Sequence, residues 1–143
     1  MKILIGVLFI LHGLIVAAQS SGSFKPPNGG IPNPAWVKRW PTNLGQSWLL
    51  TGIGIERMPF TTLVLLLNLA GGVMLVVAGL GALGIVIPGA WVFPLAISGA
   101  ALSLIMLIIY LHPMYALGIA ANIAILVAFL WTNLPSSVLG LTS

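Results

Sequence analysis

The stretch FILHGLIVAA, Phe9 to Ala18, decides how many membrane-crossing helices this chain can form. It lies in the first apolar run, which follows Lys2 and ends in small residues. A basic residue, a short apolar core and a small-residue end are also typical of a cleavable signal peptide. A signal peptide has no use for an imidazole, however, and His12-Gly13 lies in the middle of this run. We therefore expect a retained helix over about residues 2–20.

The composition indicates a protein whose surface is covered mainly by lipid. The 143 residues are 59% hydrophobic and 4% charged, with a mean hydropathy of +1.17, whereas soluble domains carry about 25% charged residues. Five Lys/Arg against one acid give a net charge of +4. Without a basic stripe, this charge favours attraction to headgroups over nucleic-acid binding. The lack of cysteine excludes disulfides, thiolate metal sites and Cys-x-x-Cys redox chemistry.

Three further apolar runs are long enough to cross a bilayer, which takes about 20 residues. They predict helices over about residues 60–87, 91–111 and 114–134. Pro88-Gly89 suits the centre of a type II turn, and Pro113 suits the first position of a helix. Such short connections make neighbouring helices antiparallel. The predicted fold class is therefore all-α, an integral membrane four-helix bundle in which residues 1–143 form a single membrane domain.

A long Pro/Trp-rich loop, residues 21–59, separates the first two predicted helices. Prolines and glycines exclude a regular helix or central strand from its first part. Its second part mixes tryptophan with basic and polar residues, which is the composition of the headgroup zone. We expect a short interfacial helix or turn on the end of the bundle, which either caps the helices or helps to build a pocket or partner contact. The candidate interfacial and partner-contact residues are Trp36, Lys38, Arg39, Trp40, Glu56 and Arg57.

Two signals disagree about the orientation of the bundle. The loop carries Lys25, Lys38, Arg39 and Arg57, whereas the opposite side carries Lys2. The positive-inside rule therefore places the loop in the cytoplasm. The signal-like start favours the opposite orientation, with the N-terminus inside.

Small residues recur along the predicted helices. In lipid, close packing at small residues drives helices together, so we interpret these positions as helix–helix contacts. The segment GLGALG, Gly79 to Gly84, also matches the dinucleotide pattern G-x-G-x-x-G, but no strand precedes it and no helix N-terminus follows. It therefore indicates packing or a frayed helix end. The other small and short polar residues of this kind are Gly71, Gly72, Gly99, Ser103, Gly118 and Asn122.

A few polar residues within the apolar runs are candidates for binding a small molecule. A neutral imidazole can hydrogen-bond a quinone, bind a metal or shuttle a proton, or it can simply fix helix packing. Single amides either join helices, for about 1 kcal/mol each, or line the same pocket. The candidate residues are His12, Asn68 and Asn122, with Trp48 at the entrance.

The chain offers no catalytic or metal-binding set of residues at the sequence level. Glu56 is the sole side-chain carboxylate, which excludes paired-carboxylate catalysis and a carboxylate-rich metal site. The two histidines, His12 and His112, are predicted to lie on opposite faces of the membrane. We therefore expect no shared metal.

Four segments resemble the helices of DoxX-like membrane proteins. They are GVLFILHGL, LLLNLAGGVMLVVAGLGALGIVIP, LIMLIIYLHP and GIAANIAILVAFL, at residues 6–14, 65–88, 104–113 and 118–130. The resemblance implies a four-helix membrane bundle of about this length. The family includes a small subunit of an archaeal thiosulfate:quinone oxidoreductase and partners of other redox systems. The long proline-rich loop departs from the family, and no catalytic signature of the family is present, so thiosulfate activity is not transferred.

These observations favour an accessory or structural subunit of a larger membrane electron-transfer complex, respiratory or photosynthetic, without catalytic activity of its own. One alternative is a quinone-binding subunit of a DoxX-like membrane oxidoreductase. Another is a small-solute carrier, although no broken helix pair or polar ring supports it. Expected partners are membrane lipids and larger membrane-protein subunits, not nucleic acid. We expect no intrinsic cofactor, with quinone or lipid as the bound molecule, and a multi-pass location in the cytoplasmic (inner) membrane of a prokaryote.

Overall fold

The computed structural model describes residues 1–22, 32–54 and 58–131, and all regular structure within these ranges is helical. Four of its helices are long and apolar enough to cross a bilayer, which confirms the predicted all-α fold with four such helices. Lys25, Glu56 and Arg57 lie outside the described residues. The helices are α1 (Lys2–Gly22), α2 (Trp48–Gly52), α3 (Met58–Ala82), α4 (Val92–Ile109) and α5 (Ala116–Trp131), with 3-10 turns at Ala35–Val37, Gly89–Trp91 and Pro113–Tyr115.

The four long helices form a row in which α1 packs on α3, α3 on α4 and α4 on α5. Neighbouring helices are antiparallel. For example, Gly6 of α1 meets Gly79 of α3, whereas Gly13, later in α1, meets Gly72, earlier in α3. One apolar cluster lies toward the α3–α4 turn, around Phe9, Ala78 and Val92. Another lies at the opposite end, around Leu50, Leu107 and Tyr115.

Glycines bring the backbones of α1 and α3 into direct contact. A Cβ added to Gly13 would lie 2.6 Å from the Gly72 carbonyl oxygen, and one added to Gly79 would lie 2.6 Å from the Gly6 carbonyl oxygen. The glycines are seven residues apart on each helix, which is two helical turns, so they form one stripe along the contact. The same device joins α3 to α4, where a Cβ on Gly99 would lie 2.8 Å from the Gly71 carbonyl oxygen. The prediction that these residues make helix contacts is confirmed.

The prediction that the second long helix runs to residue 87 is wrong, because α3 ends at Ala82. Gly84 takes a left-handed conformation with φ of 78°. The amide of Ile85 donates to the Leu80 carbonyl and the amide of Gly84 donates to the Gly81 carbonyl. This is the hydrogen-bond pattern of a Schellman C-cap, which glycine favours. The GLGALG segment therefore supplies two packing glycines, Gly79 and Gly81, and one helix-terminating glycine, Gly84.

The α3–α4 connection also differs from the predicted type II turn. Gly89 would need a positive φ at the third position of that turn, but it begins a 3-10 turn instead. Pro88 precedes this turn in an extended conformation, and its carbonyl accepts the amide of Trp91. As a result α4 begins at Val92, one residue later than predicted.

The Trp-rich loop caps the C-terminal end of α4. A helix leaves its last carbonyls without intrahelical partners, and here loop side chains donate to three carbonyls at this end. The Trp48 indole donates to Ile108 O at 2.8 Å, the Ser47 hydroxyl to Ile109 O at 2.8 Å and the Trp40 indole to Leu111 O at 3.2 Å. Ser47 also accepts the Leu50 amide as the N-cap of α2. Of the two predicted roles of this loop, capping is therefore observed.

His112 fixes the loop to the start of the last helix. Its Nδ1 accepts the Met114 amide at 3.2 Å, and its Nε2 donates to Asn33 Oδ1 at 3.0 Å. The Asn33 amide in turn donates to the Thr42 carbonyl. Both ring nitrogens are thus used in one neutral tautomer. Burial lowers the pKa of His112 from its ordinary value of 6.5, because it disfavours the charged imidazolium. Pro113 begins a 3-10 turn and not the long helix itself, so α5 begins at Ala116, two residues later than predicted.

We expect Gly13→Ala to destabilise the bundle. The added methyl would overlap the backbone of α3 at Gly72, so the two helices must separate, at a cost of about 1–3 kcal/mol. Gly52→Ala is the matched control, because nothing lies within 4 Å of its added Cβ. Unfolding of both variants in detergent measures the difference. Equal stability of the two variants would contradict the tight α1–α3 contact.

We expect the bundle to lose stability as the pH falls below the ordinary histidine pKa of 6.5. The folded state holds His112 neutral, so the unfolded chain binds the proton first. The contribution of His112 is complete above pH 6.5 and is lost as the pH falls toward its lowered pKa. The measurement is the unfolding midpoint in detergent between about pH 8 and about pH 5. His112→Asn retains a capping acceptor and should reduce this dependence, and an unchanged pH profile in that variant would assign the effect to another group.

Candidate functional site

A groove of about 500 Å³ lies between α1 and α5 and is half open to the surroundings of the bundle. We call it the α1/α5 groove. It is lined mainly by aliphatic side chains, such as Leu8 and Ile15 from α1 and Leu117 from α5. His12 and Gln19 are the polar side chains among the residues that line it. An apolar groove with a few polar groups is the usual form of a small-molecule site.

A chain of hydrogen bonds joins three helices beside this groove. His12 Nε2 lies 3.0 Å from Asn122 Oδ1, which links the centre of α1 to α5. The Asn122 amide nitrogen donates to Ser103 Oγ on α4 at 3.0 Å and to the Gly118 carbonyl at 3.0 Å. Asn122 and Ser103 are fully buried. The structure therefore brings together two of the four predicted binding residues, His12 and Asn122.

The orientation of the Asn122 amide fixes the tautomer of His12. Because the amide nitrogen donates to Ser103 and Gly118, the amide oxygen faces His12 and must accept from it. His12 therefore carries its proton on Nε2, and Nδ1 is left as an acceptor. Within the described ranges His12 makes no second hydrogen bond.

Gln19 is the second polar residue that lines the groove. It lies seven residues after His12, about 10 Å further along the same face of α1. Its side-chain carbonyl oxygen is buried without a hydrogen-bond partner in the described part of the chain, so it is not open to a molecule in the groove. The acceptor that the groove offers is therefore His12 Nδ1, and the groove suits a molecule that donates a hydrogen bond to it.

Asn68 is placed in a different contact. Its amide nitrogen donates to the Val16 carbonyl at 2.8 Å and to Ser20 Oγ at 3.1 Å. Asn68 is fully buried between α1 and α3, and it does not line the α1/α5 groove. The hydrogen bonds of Asn68 thus join α3 to α1. Its Oδ1 makes no hydrogen bond in the described part of the chain.

Trp48 and the predicted interfacial residues lie at the end of the bundle. Trp48 is half exposed on α2, bonded to the end of α4, and is not among the residues that line the groove. Trp36, Lys38 and Arg39 are exposed beside the Ala35–Val37 turn, while Trp40 is half buried. Trp40 packs edge-on against the His112 ring, with centroids 6.2 Å apart. These residues form a surface separate from the groove.

Two groups at the site were not predicted as binding residues. Ser103 was interpreted as a small packing residue, although its hydroxyl holds the Asn122 amide. Gln19 has no assigned role in the sequence interpretation. The seven-residue spacing from His12 places Gln19 on the same face and could have identified it. Within the described ranges, no three His, Cys, Asp or Glu side chains are grouped so as to hold a metal ion.

Comparison with known proteins identifies no relative. No protein-family model matches this chain, and neither a curated protein nor a solved structure matches it significantly. The DoxX-like resemblance therefore stays a prediction.

Proposed function

We propose that this chain is a multi-pass membrane protein that binds a lipophilic hydroquinone in the α1/α5 groove. The observation that carries the proposal is the His12–Asn122 hydrogen bond, which holds His12 at the groove with Nδ1 as an acceptor. A hydroquinone hydroxyl would donate to this nitrogen, and the ring and tail would lie along the aliphatic walls. A quinone carbonyl, which only accepts, would fit this tautomer less well.

Two further features support a ligand from the membrane rather than from water. The groove opens to the side of the bundle and its walls are mainly aliphatic. His12 lies at the centre of α1, ten residues from either end (12 − 2 and 22 − 12), so a ligand would meet it at mid-depth. We place the protein in the cytoplasmic membrane of a prokaryote, as an extension of the same proposal.

We expect the purified protein in detergent to bind a decyl-substituted benzohydroquinone more tightly than the corresponding quinone. His12→Leu removes the acceptor at similar volume. It should weaken hydroquinone binding about five- to tenfold, the loss expected for one hydrogen bond of about 1–1.4 kcal/mol. Quinone binding should change less. Equilibrium dialysis under anaerobic conditions measures both affinities.

Two controls keep this result specific. His112→Asn changes the other histidine, which lies outside the groove, and should leave hydroquinone binding unchanged. Decylbenzene carries the same tail without hydroxyl groups and should bind wild type and His12→Leu alike. Equal hydroquinone affinity in a folded His12→Leu protein would contradict the proposal.

The exposure of the outer helices supports a second candidate, an accessory subunit of a larger electron-transfer complex in the membrane. In the 18-residue apolar segment of each candidate span, the buried share is 22% for α1 and 17% for the last helix. It is 39% for each of the two inner helices. Large apolar residues such as Leu14 and Leu130 are exposed on these outer helices. A partner helix in the α1/α5 groove would cover part of this surface.

The accessory-subunit candidate predicts co-migration in native membranes. After gentle extraction, the protein should run within a large assembly that contains haem, pigment or quinone-enzyme subunits. Size separation with mass spectrometry and an absorption spectrum of each fraction measures this. Migration of the protein alone or as a small oligomer would exclude the accessory role and leave ligand binding as the remaining proposal.

A further inference from the structure

A second hollow, of about 680 Å³, lies at the loop end of the bundle and shares no lining residue with the α1/α5 groove. We call it the loop hollow. Its lining comes from the segment Ala35 to Trp40 together with Pro113. Two adjacent cations, Lys38 and Arg39, stand in this lining beside two tryptophans.

The cations of the loop hollow have little negative charge to meet within their own chain. The whole sequence has five Lys/Arg and one Asp/Glu, so one side-chain carboxylate leaves a net charge of +4 that is open to an anion from outside the chain. Lys38 and Arg39 are exposed. Arginine and lysine together suit phosphate, because the guanidinium donates two parallel hydrogen bonds and the ammonium adds a compact charge.

The loop hollow lies at the level where headgroups are expected. Pro113, one of its lining residues, begins the last of the four candidate membrane spans, and another span ends at Ile109. Trp40 is held to this end by its bond to the Leu111 carbonyl. Trp36 is 68% exposed, and an exposed tryptophan beside cations is typical of the membrane–water boundary.

We propose that the loop hollow binds an anionic phospholipid, with Lys38 and Arg39 contacting the phosphate of the headgroup and Trp36 lying along the glycerol and upper acyl chain. The chemistry recognised is a phosphate diester that keeps its net negative charge, next to an apolar chain. In phosphatidylcholine the choline cation cancels that charge. Free phosphate shares the charge, but it lacks the part that the tryptophan would contact. This site is independent of the hydroquinone proposal, because it uses different residues at a different place in the fold.

The test is native mass spectrometry of the delipidated protein in detergent, titrated with phosphatidylglycerol or with phosphatidylcholine of the same acyl chains. Each Lys or Arg near an anionic membrane surface strengthens binding about five-fold. Lys38→Gln and Arg39→Gln should therefore each weaken phosphatidylglycerol binding by about that factor. Lys2→Gln is the matched control, since it removes the same charge from the other end of the bundle.

Phosphatidylcholine has no net charge, so it should bind wild type more weakly and should lose less affinity than phosphatidylglycerol in Lys38→Gln and Arg39→Gln. Inorganic phosphate in the buffer should not displace phosphatidylglycerol. Equal weakening in Lys2→Gln would mean that only the overall charge matters, and it would overturn the site. Equal affinity of wild type for the two lipids would also overturn it. Displacement by inorganic phosphate would assign the hollow to a free anion and not to a lipid. Lys38 and Arg39 are exposed, so an unfolding measurement should find all variants as stable as wild type.

Discussion

The backbone contact between α1 and α3 is the constraint on which the rest of the bundle depends. In lipid, apolar faces gain little by leaving their surroundings, so helices associate where their backbones pack closely. Gly13 meets Gly72 and Gly6 meets Gly79, and no larger residue fits at these positions. This contact also sets the rotation of α1. Successive residues of a helix are about 100° apart, so with Gly13 turned to α3, His12 is turned away toward α5. One glycine stripe therefore fixes both the main packing contact and the direction of the histidine at the groove.

The long loop is part of the fold because its side chains donate hydrogen bonds to carbonyls at the end of α4. The last carbonyls of a helix lack i+4 partners, and here the carbonyls of Ile108, Ile109 and Leu111 at the end of α4 accept from the loop. Trp48, Ser47 and Trp40 supply the donors, and His112 with Asn33 fixes the loop to the start of the next helix. Tryptophan suits this position since its ring can remain in an apolar layer while its N–H reaches a carbonyl. Lys38 and Arg39 directly precede Trp40, so the bond of Trp40 to Leu111 also places these two cations at this end of the bundle. The same loop segment therefore caps α4 and forms the charged surface.

The number and class of the helices could be predicted from the sequence because run length and the scarcity of charge determine them. Glycine contacts could be predicted as well, although their partners could not, since the pairing of Gly13 with Gly72 depends on the register of two helices 59 residues apart in sequence (72 − 13). The predicted end of α3 was too late because the apolar run continues past Gly84. Hydropathy does not reveal that Gly84 takes a left-handed conformation and ends the helix. At the site, His12 and Asn122 could be proposed from their isolation in apolar runs. Ser103 was missed because its bond to Asn122 arises only when α4 and α5 are assembled, whereas Gln19 could have been found from its seven-residue spacing from His12.

The two faces of α1 differ in a way that explains why a groove exists at all. Toward α3 the helix presents glycine, so the backbones touch. Toward α5 it presents Leu8, Leu11 and Ile15, which keep α5 at a distance, and these three side chains stay more than half exposed. Opposite them α5 offers the small residues Gly118 and Ala121, so the gap is not filled from that side. The hydrogen bond from His12 to Asn122 spans this gap. Close packing of α1 is already provided on its α3 face by Gly6 and Gly13. The hydrogen bond on the α5 face, beside an open groove, is therefore better explained by ligand binding than by packing.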